Sequence, residues 1–173
     1  MPHDFKITRL VEFSDTDMAG IVHFTAFFRY MEQCEHAFYR SMGMSVIMQD
    51  GERQVSFPRV HASCDYTRPL RFEDEIEIHL IVREKKPKTF TYEFIFRRMQ
   101  ASRHVLVHGE PASNPASTSR DGEEVARGKL IVVCVTKDKA TGTMKSLEIP
   151  ADIAGRVAQA PSDYFTRTSP EKA

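Results

Sequence analysis

Only one long segment of this 173-residue chain repeats its apolar side chains at helical spacing, and the segments around it alternate. From Thr25 the positions Phe27, Phe28, Met31, Cys34, Phe38 and Met42 recur mostly at intervals of three and four, with Arg29, Glu32, Gln33, Glu35 and Arg40 between them. That is the pattern of a helix with one buried stripe. Thr25 is placed to cap its start, and Gly43 to end it in the left-handed conformation. Aromatic side chains make the stripe bulky. With no second long helix to receive it, the stripe must be buried against sheet.

Strands are expected where the period drops to two. Residues 5–13 alternate up to a Ser-Asp-Thr-Asp cluster. Further strands are read at 54–66, with Pro58 as a bulge or edge position, and at 74–84, 89–98 and 125–137. A tract rich in Ser, Pro and Gly between 104 and 124 reads as a long loop or protruding hairpin, and residues 139–143 as a turn. A short helix is expected near 151–158. One strand, one long helix and four further strands with short connections make an α+β domain in which a curved antiparallel sheet wraps a central helix. Residues 1–160 are read as that single domain and 161–173 as a polar tail.

Composition narrows the function classes. Lys and Arg number 24 against 24 Asp and Glu, so no whole-molecule field draws in nucleic acid or an acidic membrane, and a polyanionic ligand needs a local patch. No run nears the roughly 20 apolar residues of a membrane span, and the first residues lack a signal-peptide profile. A cytoplasmic location is expected. Cys34, Cys64 and Cys134 lack the spacing of a zinc site or a disulfide framework and read as buried thiols, and no metal-ligand constellation is visible. Neither a nucleotide-binding glycine motif nor a Gly-x-Ser-x-Gly elbow occurs.

The chemistry sits at Phe13-Ser14-Asp15-Thr16-Asp17-Met18-Ala19-Gly20-Ile21-Val22, immediately before the helix. A carboxylate a few residues from a helix start lies beside unpaired backbone N–H groups, which carry partial positive charge and bind a developing oxyanion. That is the minimum equipment for acyl transfer. Taken alone, Asp15 and Asp17 also fit turn or capping roles.

The run resembles the motif of the hotdog-fold acyl-CoA thioesterases of the 4-hydroxybenzoyl-CoA thioesterase and YbgC type: aromatic, any residue, Asp, Thr or Cys, Asp, two residues, Gly and two aliphatics. Phe13, Asp15, Thr16, Asp17, Gly20, Ile21 and Val22 carry it. The resemblance extends over about residues 5–155, including Leu147 to Asp152. It implies the hotdog fold and acyl-CoA hydrolysis with Asp17 as nucleophile or general base. It places the oxyanion-binding amides around His23 and Phe24, and assigns Asp15 to the turn. Gly20, Ile21, Val22 and Phe24 are then candidate substrate-binding residues. His23 is a candidate acid, base or substrate ligand, although it stands one position earlier than the histidine of the YbgC branch. His61, on a strand expected opposite the helix start, is a weaker substrate-binding candidate.

The basic turn Arg83-Glu84-Lys85-Lys86-Pro87-Lys88-Thr89 coincides with one that family members use for coenzyme A phosphates, so Lys85, Lys86, Lys88 and Thr89 are candidate CoA-binding residues. The resemblance implies no cofactor besides the coenzyme A of the substrate, an acyl-CoA or acyl-carrier-protein partner, and a homodimer or homotetramer joined through sheet edges. The alternative from another class is a non-catalytic hotdog module that binds acyl-CoA or acyl carrier protein without turnover.

Overall fold

The computed structural model describes residues 1–51, 53–100, 122–138 and 141–164. Its strands are β1 (Asp4–Leu10), β2 (Ile47–Asp50), β3 (Arg53–Ser56), β4 (Arg59–Tyr66), β5 (Glu75–Lys85), β6 (Thr89–Gln100), β7 (Glu123–Val133), β8 (Val135–Lys137) and β9 (Met144–Ser146), with helices α1 (Phe24–Ser41) and α2 (Ala151–Ala154). Five strands form an antiparallel sheet in the order β1-β5-β6-β7-β4, and a smaller sheet runs β2-β3-β8-β9. The expected long strands 54–66 and 125–137 each divide between the two sheets, the first at Phe57-Pro58 and the second at Cys134. Proline has no N–H for a ladder, and the register of β4 against β7 shifts directly after it, between Arg59 and His61. The 104–124 tract lies almost wholly outside the described residues.

Helix α1 packs on one face of the large sheet and touches both of its edge strands, β1 and β4, so the sheet curls around it. This is the hotdog arrangement. Strand alternation sends Ile76, Ile78, Leu80 and Val82 of β5 toward α1, where they meet Phe27, Tyr30, Met31, Cys34 and Phe38 in one core. Burying each such side chain contributes about 1.5–3 kcal/mol. Close approach of helix to sheet depends on Gly128 of β7, where a Cβ would collide with Met31 Sδ.

The other face of the sheet is covered by the segment after α2. Ile81, Ile95 and Ala160 form a second cluster with Tyr164 against it. Tyr164 Oη donates to Asp4 Oδ2 at 2.7 Å, and His79 Nε2 lies 2.9 Å from the same oxygen. The chain is thus docked on the domain as far as Tyr164, and the remainder of the 161–173 tail is outside the described residues.

A polar network around Glu35 enters the core. Glu35, 2% exposed, bonds Arg59 of β4 at 2.5 Å and accepts from Tyr39 Oη at 3.4 Å, while Tyr39 and Tyr92 share a hydroxyl contact of 2.9 Å. Cys34 and Cys134 are buried and Cys64 half-buried, all three as free thiols.

Candidate active site

After β1 the chain makes a short helical turn, Phe13–Asp15, then a closed loop before α1. Thr16 and Val22 pair across its base as an isolated antiparallel bridge. Inside it, Asp17 N donates to Ile21 O, Gly20 N to Asp17 O, both at 2.9 Å, and Ala19 N to Asp17 Oδ1 at 2.8 Å. The last bond is an Asx turn, which explains an aspartate here on local grounds as well. Gly20 has φ +72°, with nothing within 4 Å of where a Cβ would stand. Backbone conformation, not crowding, therefore calls for glycine.

The loop leads straight into the helix start. His23, not Thr25, is the residue that caps α1: its Nδ1 lies 2.7 Å from Thr25 Oγ1 and 3.4 Å from Thr25 N. Its backbone N–H donates to Asp15 O at 2.8 Å. Helix geometry leaves the amides of the first turn without intrahelical acceptors, and they carry the positive end of the helix dipole. That of Thr25 is taken up by His23 Nδ1, and that of Phe24 sits just beyond the Asp17 loop.

Two cavities meet at Asp17. One, of about 410 Å³, is walled by Ile21, Val22, Phe24 and Phe27 and by Tyr66 and Leu70 across from them. The other, of about 670 Å³, is walled by Phe13, Thr16, Met18 and Gly20 with Arg71 and Phe72 opposite. Asp17 is the one residue common to both walls. A bond laid across Asp17 therefore has room on each side, and Phe24, the first residue of α1, lines one side. Val22 N bonds Leu70 O at 2.8 Å and Tyr66 Oη donates to Phe24 O at 3.1 Å, which joins the 66–72 segment to the loop and helix.

Of the residues singled out from sequence, Asp17, Gly20, Ile21, Val22, Phe24 and the helix cap His23 come together here. His61 does not: it is exposed on edge strand β4, 3.2 Å from Ser63 Oγ, and lines neither cavity. Lys85, Lys86, Lys88 and Thr89 also stand apart. Leu10, just before the Asp17 loop, pairs with Glu75 at the start of β5, whereas Lys85 ends that strand, about 33 Å away at roughly 3.3 Å per residue. Lys85 Nζ donates to the carbonyls of Ala154 and Val157, and Lys86 pairs with Glu84 at 3.1 Å. Among the described residues no cluster of His, Cys, Asp or Glu is grouped to hold a metal.

Sequence reading missed Tyr66, Arg71 and Phe72, which reach the site from some fifty residues downstream. Their local signal is slight: Phe72 is 37% exposed in the turn before β5 and meets Phe13 edge-on at 6.0 Å.

The chain belongs to the thioesterase-like superfamily, whose family model it matches over residues 11–157. An Aquifex aeolicus (strain VF5) protein named as an esterase is 38% identical over 92 residues, covering 53% of this chain and 70% of its own length. A 1,4-dihydroxy-2-naphthoyl-CoA hydrolase of Prochlorococcus marinus (strain MIT 9313) is 29% identical over 109 residues, 58% of this chain and 72% of that one. Among solved structures, a 1,4-dihydroxy-2-naphthoyl-CoA thioesterase from Synechocystis superposes with a TM-score of 0.66 at 18% identity, covering 89% of this chain and 95% of its own, a likeness of fold.

Proposed function

We propose that the protein hydrolyses an acyl-CoA thioester to the free acid and coenzyme A, with Asp17 as the catalytic carboxylate. The observation that carries this reading is the position of Asp17 on the wall shared by two cavities, beside the start of α1. A thioester laid across it puts its acyl and thiol arms on either side. Asp17 attacks the carbonyl carbon or takes a proton from an attacking water. The charge arriving on the carbonyl oxygen is met by the helix-start amides, and the C–S bond breaks to release the thiol. His23 holds the helix start, which assigns it a supporting part. Coenzyme A enters as part of the substrate, acyl carrier protein being the alternative thiol carrier, and the setting is cytosolic.

Two of the relatives named above act, by name, on 1,4-dihydroxy-2-naphthoyl-CoA, an aromatic acyl-CoA, and both cavities have aromatic walls, which supports an aromatic acyl group. A second copy accounts for the distant lysines. Strand β4 is an edge with Val60 63% and Tyr66 44% exposed, the kind of edge that pairing with another chain covers. Antiparallel pairing of two β4 strands about a two-fold axis lays the partner's sheet end to end in reverse. The partner's 85–89 turn then comes to the end of the sheet where this copy's Asp17 stands.

The test is release of thiol from aromatic and aliphatic acyl-CoAs. Wild type is expected to turn over at least one aromatic thioester, and Asp17→Asn to lose at least about a hundredfold in kcat while melting at the same temperature. Undiminished turnover in the variant contradicts the mechanism. Binding of acyl-CoA with no thiol release by wild type contradicts the enzymatic reading and leaves a binding module.

A further inference from the structure

Four groups from three parts of the chain converge on the Asp15 carboxylate, which is 5% exposed. Arg29 Nη2 donates to Oδ1 at 2.8 Å, Tyr30 Oη to Oδ2 at 2.8 Å and Glu12 N to Oδ2 at 3.1 Å, with Arg9 Nη2 3.5 Å from Oδ2. Arg9 also lies over the Tyr30 ring, 4.4 Å from its centre. Burial pushes the Asp15 pKa up, but the bonds from Arg29, Tyr30 and Glu12 and the Arg9 charge outweigh it, and the net shift is downward. The group is an ionised carboxylate inside the fold, held by directional bonds.

Its place along the chain gives the cluster a consequence for the site. Asp17 stands in a loop cross-bonded within itself by the Thr16–Val22 bridge and the bond from Asp17 N to Ile21 O. Such a loop moves as a unit, and its freedom relative to α1 lies at its base. Asp15 is that base. Its carbonyl accepts the His23 N–H at 2.8 Å, and its side chain grips Arg29 and Tyr30 in the second turn of α1. Neither Asp15, Arg29 nor Tyr30 lines either cavity, so none of them touches a ligand there.

We infer that Asp15 is a positioning residue: through Tyr30 and Arg29 it fixes the Asp17 carboxylate against the amides at the start of α1. This deepens the reading of Asp17 given above and rests on it. The bound thioester makes its contacts elsewhere, so loosening the clamp costs rate and leaves binding alone.

The experiment measures kcat and KM by thiol release, per folded molecule, for Tyr30→Phe, Asp15→Asn and Asp17→Asn. Tyr30→Phe removes one hydroxyl and no charge, and it decides the matter if Asp15→Asn fails to fold. The expected result is a fall in kcat of between about tenfold and a hundredfold in Tyr30→Phe, with KM within about twofold of wild type. Asp15→Asn, if folded, loses at least as much. Wild-type kcat in Tyr30→Phe beside an inactive Asp17→Asn overturns the inference and spares the catalytic reading. So does a rise in KM at constant kcat, which marks a binding role. Full activity in Asp17→Asn overturns both.

Discussion

At the scale of single residues, the loop could be read from sequence because its demands are local. Asp17 and Gly20 satisfy an Asx turn and a positive φ that any chain making this turn must meet. The cap was misplaced for an equally local reason: Thr25 is a stronger cap by residue type, but the bridge between Thr16 and Val22 starts the helix two residues earlier, where His23 stands. That assignment is testable. His23→Asn supplies another side-chain acceptor and should melt close to wild type with most of its activity, whereas His23→Ala should lose about 0.5–2 kcal/mol. Loss of turnover in a fully stable His23→Asn would instead make the imidazole part of the chemistry.

At the scale of elements, helix α1 and strands β5 and β6 were legible because each buries a periodic face, while β2 and β9 were not, being short and almost wholly exposed. Side-chain pattern also gave no sign that Glu35 would be buried. It stands among the polar positions of α1, yet it faces the interior because Arg59 and Tyr39 satisfy it there, Tyr39 being held in turn by Tyr92. Burial raises its pKa from 4.5 to about 7 against the pull of Arg59 and the Tyr39 bond. A carboxyl that keeps its proton longer in the native state stabilises the fold most below the unfolded pKa, and that contribution is lost as pH rises through the native one. The difference in unfolding free energy between wild type and Glu35→Gln, measured in urea at fixed protein concentration, should therefore fall by something on the order of 3 kcal/mol from pH 4 to pH 8. A difference that does not change with pH contradicts a raised Glu35 pKa.

At the scale of the whole molecule, the site is spread over segments that only the fold brings together. The 12–24 stretch announces itself, but the 66–72 wall arrives through the connection from β4 to β5, which no local pattern encodes. The basic turn is recognised by its composition and lies at the far end of the sheet from Asp17, so the part in binding proposed for it requires a second copy. Sedimentation should show at least twice the 19.8 kDa chain mass; a monomer that retains full activity would remove the partner from the site. Subunit mixing tests the central claim most directly, that Asp17 of one copy cleaves a thioester whose coenzyme A is held by the other. Asp17→Asn chains are unfolded and refolded together with chains carrying Lys86→Glu and Lys88→Glu, each parent having first been shown to be impaired alone. A mixed pair holds one site with both Asp17 and the lysines intact, so thiol release should reappear well above that of either parent. Release no greater than the average of the two parents would contradict a site completed across the β4 edge.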